Sequence, residues 1–284
     1  MKFGVTMFAT DQSMPPHELA REAEARGFES IFFPEKTHVP VSRRTPWPGG
    51  EMPERYKRTY DPFVALAAAA AVTTRIRIGT GICMPAVRDA IIMAKEVASL
   101  DALSGGRFIF GIGYGWNAEE MEDHSMPFER RADVMREKVA AMKAIWSEDE
   151  ASYRGEFVRF DASWSWPKPV QKPHPPIIMG SRASAAIFRD IAEYADGWMP
   201  IEYYGQSVEK MPDLRAAFER AGRDPASASL SIYQSFGQPE MLERYAQAGV
   251  ERVILGVPSE GPRDLAIAAL DNHARLMGEF GLAK

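Results

Sequence analysis

The sequence predicts a (β/α)8 TIM barrel, and three observations support this fold. Short apolar segments alternate with helical segments from end to end, giving about eight strand–helix units within 284 residues. Several of the apolar segments are continuous, as expected for strands buried on both faces of a parallel sheet. The length suits a barrel of about 250 residues with one long insertion. A doubly wound open sheet is the alternative, although it usually has fewer units. No composition break marks a second domain, so residues 1–284 are expected to form one domain.

The first half of the chain contains four predicted strands, each followed by a helix. The strands are KFGVTMF (2–8), FESIFF (28–33), RIRIGTGI (75–82) and RFIFGIG (107–113). The first helix starts at two prolines and ends at Gly27, residues typical of helix starts and stops. Asp61 and Pro62 form a good capping pair for the alanine-rich helix 61–74. A long loop insertion rich in Pro, Gly and Arg follows the second strand, from residue 34 to about residue 59.

The second half repeats the pattern after an irregular segment. ASYRGEFVRFD predicts a small hairpin and WPKPVQKPHPP an extended strap, both before the fifth strand. The remaining strands are PIIMG (176–180), DGWMPI (196–201), SLSIYQS (229–235) and RVILGV (252–257), and the helices between and after them include 184–194, 207–221 and 262–280.

Composition excludes several classes of protein. The net charge of −5 and the pI near 5.7 argue against a nucleic-acid partner. The single cysteine, Cys83, excludes an intrachain disulfide and suits a reducing cytoplasm. The N-terminus is typical of a strand and not of a signal peptide, and the longest apolar run, 63–72, is too short to span a bilayer. We therefore expect a soluble cytoplasmic protein.

Three glycines at alternate positions lie at the end of the fourth strand and just after it, in RFIFGIGYGWNAEE. Gly111, Gly113 and Gly115 do not match the dinucleotide-binding spacing, which needs a different third position. The end of a barrel strand at the C-terminal face carries the functional site. We expect these glycines to open space for a ligand there; the alternative is that they relieve crowding between the strand and its helix.

The predicted strand ends are poor in acids, which disfavours hydrolytic chemistry. Glu35 alone lies at a strand end, whereas a glycosidase needs two facing carboxylates. Only His38 is central among the five histidines, so no metal site is expected, and the acidic EEMEDH segment (119–124) is typical of a solvated helix start. Cys83 has no obvious base. A site with so little chemistry of its own is typical of a cofactor enzyme, in which the protein binds and orients the reactive group.

Two segments are suited to an anionic cofactor. Gly180, Ser181 and Arg182 precede a helix and offer backbone N–H groups, a hydroxyl and a guanidinium to a phosphate. The insertion carries six cations against three acids. These cations either hold an anionic tail or form a solvated loop.

Five stretches, in the same order along the chain, carry a resemblance to a known family. They are GFESIFFPEKTHVPVSRRTPWPGG, YDPFVALAAAAAVTTRIRIGTGI, LDALSGGRFIFGIGYGWNAEE, PFERRADVMREKVAAMKAIW and PKPVQKPHPPIIMG. With these stretches the chain resembles the bacterial luciferase-like monooxygenase superfamily and, within it, the deazaflavin-dependent oxidoreductase branch. The resemblance implies a barrel that binds coenzyme F420 or a flavin such as FMN at its C-terminal mouth, often as a homodimer.

The resemblance also implies roles for individual residues. A non-proline cis peptide is expected at Gly81-Ile82, with Thr80, Gly81 and Ile82 behind the central ring of the cofactor. Asn117 matches a polar cofactor contact, and the segment 180–182 matches the phosphate loop.

Glu35 matches a position that contacts the ring system and is a candidate catalytic residue. The family often has histidine next to this acid, but this chain has Lys36, so the nearest imidazole is that of His38. We expect His38 to transfer protons, since its ordinary pKa lies closest to neutrality. The alternative is that His38 anchors a loop.

The expected reaction is hydride transfer between the deazaflavin and a small organic substrate. Tyr114 is expected to contact the cofactor and, with Phe8, Trp116 and Trp198, to form an apolar substrate pocket; plain core packing is the alternative for all four. If FMN binds instead, monooxygenation becomes the expected reaction. A non-catalytic flavin-binding barrel is a further alternative.

Overall fold

The structure is a computed structural model that describes residues 1–202 and 207–280. Its strands are β1 (Lys2–Thr6), β2 (Ser30–Phe33), β3 (Arg77–Thr80), β4 (Phe108–Ile112), β5 (Ala151–Arg154), β6 (Arg159–Ser163), β7 (Ile177–Met179), β8 (Gly197–Trp198), β9 (Ser229–Ser235) and β10 (Arg252–Gly256). Its α-helices are α1 (Pro16–Ala25), α2 (Pro62–Ala71), α3 (Ala90–Leu103), α4 (Ala118–Asp123), α5 (Arg131–Ser147), α6 (Ala185–Tyr194), α7 (Met211–Arg220), α8 (Pro239–Gln247) and α9 (Arg263–Glu279). Residues 203–206 and 281–284 of the predicted single domain lie outside the described residues.

Eight parallel strands form a closed barrel in the order β1-β10-β9-β8-β7-β4-β3-β2. The barrel closes where β1 pairs with β10, with Lys2 level with Arg252. The antiparallel pair β5-β6 forms a separate two-stranded sheet before β7. The predicted (β/α)8 barrel and the hairpin are therefore confirmed. The sixth barrel strand is shorter than predicted, because only Gly197 and Trp198 of the segment 196–201 pair as a strand.

Helix boundaries follow the capping residues. The Asp61 carboxylate accepts hydrogen bonds from the N–H groups of Phe63 and Val64, which fixes the start of α2 as predicted. Gly27 has φ +83° just after α1, a left-handed conformation that suits glycine and ends the helix. The acidic segment after β4 forms the short helix α4. In the described part of the chain, no helix is long and apolar enough to cross a membrane.

The wall of strands separates an apolar core inside the barrel from a second one outside it. The interior of the barrel is filled by a small cluster from alternate strand positions, namely Phe32, Ile109, Ile178, Met199, Tyr233 and Ile254. A much larger core lies between the strands and the surrounding helices. Because the interior cluster closes the barrel below the strand ends, the space above it is bounded by the C-terminal loops.

Candidate active site

A cavity of about 1130 Å³ lies at the C-terminal ends of the strands. Typical small-molecule pockets measure about 300–1,000 Å³, so this one can hold a large cofactor together with a small substrate. Its wall includes Phe8, Glu35, Lys36, Trp47, Arg55, Tyr56, Gly81, Ile82, Tyr114, Trp116, Arg131, Gly180, Ser181, Arg182, Met199 and Tyr233.

The wall at the end of β3 is built around Ile82. The Gly81-Ile82 peptide is cis, which confirms the expectation from the family resemblance. A Cβ atom on Gly113 would lie 2.5 Å from the Ile82 Cδ1 atom, and one on Gly180 would lie 2.6 Å from its Cγ2 atom. The two glycines thus let the Ile82 side chain sit between the ends of β4 and β7. This arrangement presents an apolar ridge to the cavity.

The glycines of the β4 motif therefore make room for protein atoms. A Cβ atom on Gly111 would collide with the Thr80 carbonyl oxygen, and one on Gly115 would lie 2.6 Å from the Met121 Cε atom. These contacts favour the alternative explanation, relief of crowding, although Gly115 also lines the cavity. Close packing of the strand against its neighbours is the reason for them.

The segment after β7 leaves a buried polar atom unsatisfied. Gly180, Ser181 and Arg182 all line the cavity just before α6. The Ser181 Oγ atom is buried and has no hydrogen-bond partner in the described protein, and the same holds for the Arg131 Nε atom. Buried polar atoms are normally satisfied, so two orphans on one cavity wall suit a bound anionic group. The residues present therefore fit a phosphate-bearing cofactor.

The described wall is strongly cationic. Lys36, Arg55, Arg131 and Arg182 all line it, and Glu35 is the one acid among the described lining residues. The protein as a whole has a net charge of −5. A positive cavity in an acidic protein favours an anionic ligand.

The Glu35 carboxylate is fully engaged by the protein. It accepts a hydrogen bond of 2.6 Å from the Met84 N–H and a second from the Arg88 guanidinium. Burial raises the pKa of Glu35, and the Arg88 cation opposes this rise. Arg88 also pairs with Asp61 and Glu96. Burial acts to lower the pKa of Arg88, but the Glu35 charge and the contact with Asp61 outweigh it and raise this pKa. Glu35 thus joins the end of β2 to the start of α3, behind the β3 ridge.

Three predicted contact residues lie outside the cavity wall. The Thr80 hydroxyl donates to the Gly111 carbonyl oxygen at 2.6 Å, and the Asn117 side chain accepts from the Glu120 N–H to cap α4. Trp198 is buried in the outer core, where its indole N–H donates to the Ser181 carbonyl oxygen at 2.9 Å. The predicted cofactor or substrate contacts of Thr80, Asn117 and Trp198 are therefore corrected. Trp198 instead holds the backbone of the segment after β7.

His38 also lies outside the wall. Its side chain is 39% exposed, its Nε2 atom is 3.0 Å from the Asp123 carboxylate, and its Nδ1 atom is 3.0 Å from the Thr37 hydroxyl. Direct proton transfer from His38 to a substrate in the cavity is therefore excluded by position. Lys36 is the residue of this segment that reaches the cavity, with its ammonium 4.8 Å from the centre of the Trp116 ring.

The insertion contributes aromatic residues that the sequence analysis missed. Tyr56 packs against Phe8 with ring centres 4.8 Å apart, and Trp47 meets Tyr56 edge-on at 5.7 Å. The Arg55 guanidinium lies 5.1 Å from the centre of the Phe8 ring. In the sequence, two aromatic residues within an otherwise polar insertion are the feature that could have indicated contact between the insertion and the barrel.

The acidic segment 119–124 holds this insertion in place. The Glu119 carboxylate accepts hydrogen bonds from the Ser42 hydroxyl at 2.9 Å, the Thr45 N–H at 3.1 Å and the Thr45 hydroxyl. The Thr45 hydroxyl, followed by backbone N–H groups and Ser42, lowers the pKa of Glu119 to about 2. Glu122 pairs with Arg44 of the same insertion. The segment is thus an anchor, and the prediction of a solvated helix start is corrected.

Tyr114 supplies a polar edge to the wall. Its hydroxyl donates to the Asp190 carboxylate at 2.5 Å and lies 3.3 Å from the Tyr194 hydroxyl. Burial and Asp190 raise the pKa of Tyr114, so its phenol stays neutral at physiological pH. Asp190 is also paired with Arg136 at 2.8 Å.

Comparison with known proteins identifies the family of this chain. The family model described as luciferase-like monooxygenase matches residues 4–270. An uncharacterized protein of Mycobacterium tuberculosis is 41% identical over 272 residues, covering 94% of this chain and 95% of the relative. The FMNH2-dependent dimethylsulfone monooxygenase of Pseudomonas putida is 32% identical over 158 residues, covering 52% of this chain and 42% of the relative.

A solved structure supports the same fold. The coenzyme F420-dependent tetrahydromethanopterin reductase of Methanopyrus kandleri superposes with a TM-score of 0.73 at 18% identity, covering 100% of this chain and 99% of that one. Proteins similar to this chain thus include both F420-dependent and FMNH2-dependent enzymes. With the family model matching nearly its whole length, this chain belongs to the luciferase-like monooxygenase family.

Proposed function

We propose that this protein is a coenzyme F420-dependent oxidoreductase that transfers a hydride between the deazaflavin and a small organic substrate. The observation that carries the proposal is the charge of the cavity. Its described wall has four cations, of which Lys36 is paired with Glu120, while its one acid, Glu35, is paired with Arg88. When bound, the coenzyme supplies the carbon that gives or takes the hydride. The chain itself then has to bind, orient and shield the reactants.

The ring system is proposed to lie against the β3 ridge. Ile82, Met199 and Tyr233 offer a largely apolar surface at the base of the cavity. The Tyr233 hydroxyl is 2.7 Å from the Thr6 hydroxyl, which fixes this side chain. A planar ring bound on this surface would be held by apolar contact with these side chains.

The phosphate is proposed to bind at the segment 180–182. The unsatisfied Ser181 hydroxyl and the backbone before α6 are suited to phosphate oxygens. Trp198 supports this segment by holding the Ser181 carbonyl oxygen.

The insertion is the part of the site that favours F420 over FMN. Four of its six cations are engaged by carboxylates, in the pairs Lys36–Glu120, Arg44–Glu122, Lys57–Glu54 and Arg58–Asp11. Arg55 belongs to none of these four pairs and lies on the cavity wall over Phe8. We propose that Arg55 contacts the oligoglutamate tail of the coenzyme, a group that FMN lacks.

The substrate is proposed to bind between the ring and the aromatic part of the wall. Phe8, Tyr114 and Trp116 line this part, and the insertion residues Trp47 and Tyr56 cover it. These side chains exclude water, which protects a transferring hydride and strengthens polar contacts in the site.

An FMN-dependent monooxygenase is the second candidate. The similarity to an FMNH2-dependent enzyme favours it. Under this alternative the phosphate segment keeps its role, whereas Arg55 loses its proposed partner. A non-catalytic flavin-binding barrel would bind a cofactor without turnover.

Titration with each cofactor separates these candidates. Quenching of intrinsic tryptophan fluorescence reports binding, and we expect submicromolar affinity for F420 and much weaker affinity for FMN. Ser181→Ala should weaken binding of both cofactors, and Arg55→Gln only that of F420. Ser163→Ala, on the separate β5-β6 sheet, is the matched control. Equal indifference to both cofactors would overturn the proposal, and preferential binding of FMN would favour the second candidate.

We further propose that the chain acts as one domain, in the cytoplasm, and as a homodimer. Val64 on α2 and Ile91 and Ile92 on α3 are exposed apolar side chains on neighbouring helices. A second copy of the chain is the proposed cover for this face. Ile92→Asp is expected to shift the sedimentation coefficient to that of a monomer; an unchanged dimer would place the interface elsewhere.

A further inference from the structure

A buried ion pair lies at the cavity wall beside the proposed substrate position. The Lys36 ammonium is paired with the Glu120 carboxylate, and their side chains are 2% and 1% exposed. Trp116 covers the ammonium. Buried ion pairs are often no more stabilising than apolar residues of the same volume, so stability alone does not account for this pair.

The pair is connected to the protein surface by hydrogen-bonding side chains. The Glu120 Oε2 atom faces Lys36, whereas its Oε1 atom lies 3.4 Å from the Thr37 hydroxyl. The Thr37 hydroxyl lies 3.2 Å from the His124 Nε2 atom and 3.0 Å from the His38 Nδ1 atom. His38 is open to solvent. An unbroken series of polar atoms thus runs from the cavity to bulk water.

The chemistry of Thr37 suits the middle of such a series. A hydroxyl has one hydrogen to donate and two lone pairs that accept. When Thr37 donates to Glu120, it can accept from His124 and His38; when it donates to the His38 Nδ1 atom, the His38 Nε2–H group faces the Asp123 carboxylate. In the first arrangement His38 carries a proton on both ring nitrogens, and in the second that additional proton lies on the Glu120 carboxyl while His38 is neutral. A proton moves along the series as the hydroxyl changes between them.

We propose that Lys36, Glu120, Thr37 and the imidazoles of His124 and His38 form a proton relay between the cavity and solvent. The proposal rests on the proposed hydride transfer. It assigns the substrate to carbonyl compounds and the corresponding alcohols, because their interconversion needs one proton for each hydride.

Reduction of a carbonyl substrate consumes one hydride and one proton. A hydride, with its electron pair, passes from the reduced deazaflavin to the carbonyl carbon, and the C=O π bond breaks. The carbonyl oxygen takes a proton from the Lys36 ammonium. Lys36 regains a proton through Glu120 and Thr37, and solvent replaces it at the histidines. Oxidation of an alcohol runs the same steps in reverse, with the oxidised deazaflavin as hydride acceptor.

Exchange of the Lys36 ammonium hydrogens with water tests the relay without any cofactor or substrate. In protein labelled with 15N-lysine, Thr37→Val removes the hydroxyl and keeps the shape of the side chain, whereas Thr37→Ser keeps the hydroxyl. We expect exchange at Lys36 to slow about tenfold or more in the valine variant and to stay near the wild-type rate in the serine variant. Lys138 is the matched control, since its buried ammonium donates to the Ala86 and Arg88 carbonyl oxygens outside the relay. An unchanged rate at Lys36 in Thr37→Val would overturn the relay.

Turnover of reduced deazaflavin with the ketone cyclohexanone gives the second readout. We expect Thr37→Val to lower kcat about tenfold with the deazaflavin Kd unchanged, and Thr37→Ser to keep the wild-type kcat. Glu120→Gln, which keeps the shape of the pair, should lower kcat in the same way. A wild-type kcat in both Thr37→Val and Glu120→Gln would overturn the role of the relay in the reaction. A wild-type protein that binds no deazaflavin overturns the proposed function, while ammonium exchange still decides whether the relay conducts protons.

Discussion

Replacing Glu119 with alanine is expected to release the insertion from the barrel. The Glu119 side chain is 5% exposed and accepts hydrogen bonds from Ser42 and from the N–H and hydroxyl groups of Thr45. These residues belong to the insertion that carries Trp47 and Arg55 to the cavity wall. Loss of the carboxylate leaves their donors without a partner.

The size of the effect follows from the pKa of Glu119. The carboxyl has a pKa of about 2 in the folded protein, against an ordinary value of 4.5. The full difference corresponds to about 3.4 kcal/mol, and screening by nearby solvent reduces this to about 2–3 kcal/mol of stabilisation by the ionised form. Because the folded pKa is the lower one, this stabilisation is complete above about pH 4.5 and is lost as the pH falls toward 2.

Hydrogen exchange of the backbone amides in residues 40–58 measures this effect directly. At neutral pH, Glu119→Ala should reduce the protection of these amides by about 30- to 140-fold, since each 1.4 kcal/mol corresponds to a factor of ten. Cofactor affinity should fall as well, because Trp47 and Arg55 lose their fixed positions. Glu122→Ala is the control, since it removes only the exposed pair with Arg44 and should leave protection nearly unchanged. Wild-type protection in Glu119→Ala, or equal losses in both variants, would refute the anchoring role.

Three further predictions concern single side chains. Gly180→Ala should lower the free energy of unfolding by about 1–3 kcal/mol and weaken cofactor binding, because its methyl group would overlap the β3 ridge. Gly278→Ala, with open space around it near the end of α9, should be neutral or slightly stabilising in the same denaturant titration. Arg88→Leu should cost about 3–5 kcal/mol in thermal or chemical unfolding, because it leaves a buried carboxylate unpaired. Arg154→Ala, which removes an exposed ion pair, should change the free energy of unfolding by less than about 1 kcal/mol. Trp198→Phe should weaken cofactor binding severalfold without changing the far-UV circular dichroism spectrum, because it removes the indole donor behind the phosphate segment.

The fold could be predicted because its signals are local. Alternation of strands and helices, the Asp61 cap, the Gly27 stop and the separate hairpin are each encoded within a few residues. The short β8 was overestimated because apolar residues continue past the point where pairing as a strand ends. Apolar character alone does not mark that point.

The residues of the site were harder to predict because side chains alternate between the two faces of a strand. Trp198 and Met199 are adjacent and both apolar, yet Met199 lines the cavity and Trp198 lies in the outer core. Gly81 likewise lines the cavity, whereas its neighbour Thr80 does not. A strand buried on both faces has no polar side to show which of two neighbours points inward. The end of a strand therefore predicts where the site lies, but it does not predict which side chains line the cavity.

The relation between α4 and the insertion explains why the cavity is cationic. Glu119, Glu120, Glu122 and Asp123 lie on one short helix, and each is already bonded, to the insertion or to the residues that lead into it. None of these four carboxylates is thus free to bind a metal cation or to act in acid catalysis. Their pairing neutralises cations at the rim, while Arg55, Arg131 and Arg182 line the described wall. The acids of α4 therefore bind the insertion, which is far from this helix in sequence. The same contacts hold the insertion at the cavity, where its remaining positive charge suits the anionic ligand that we propose.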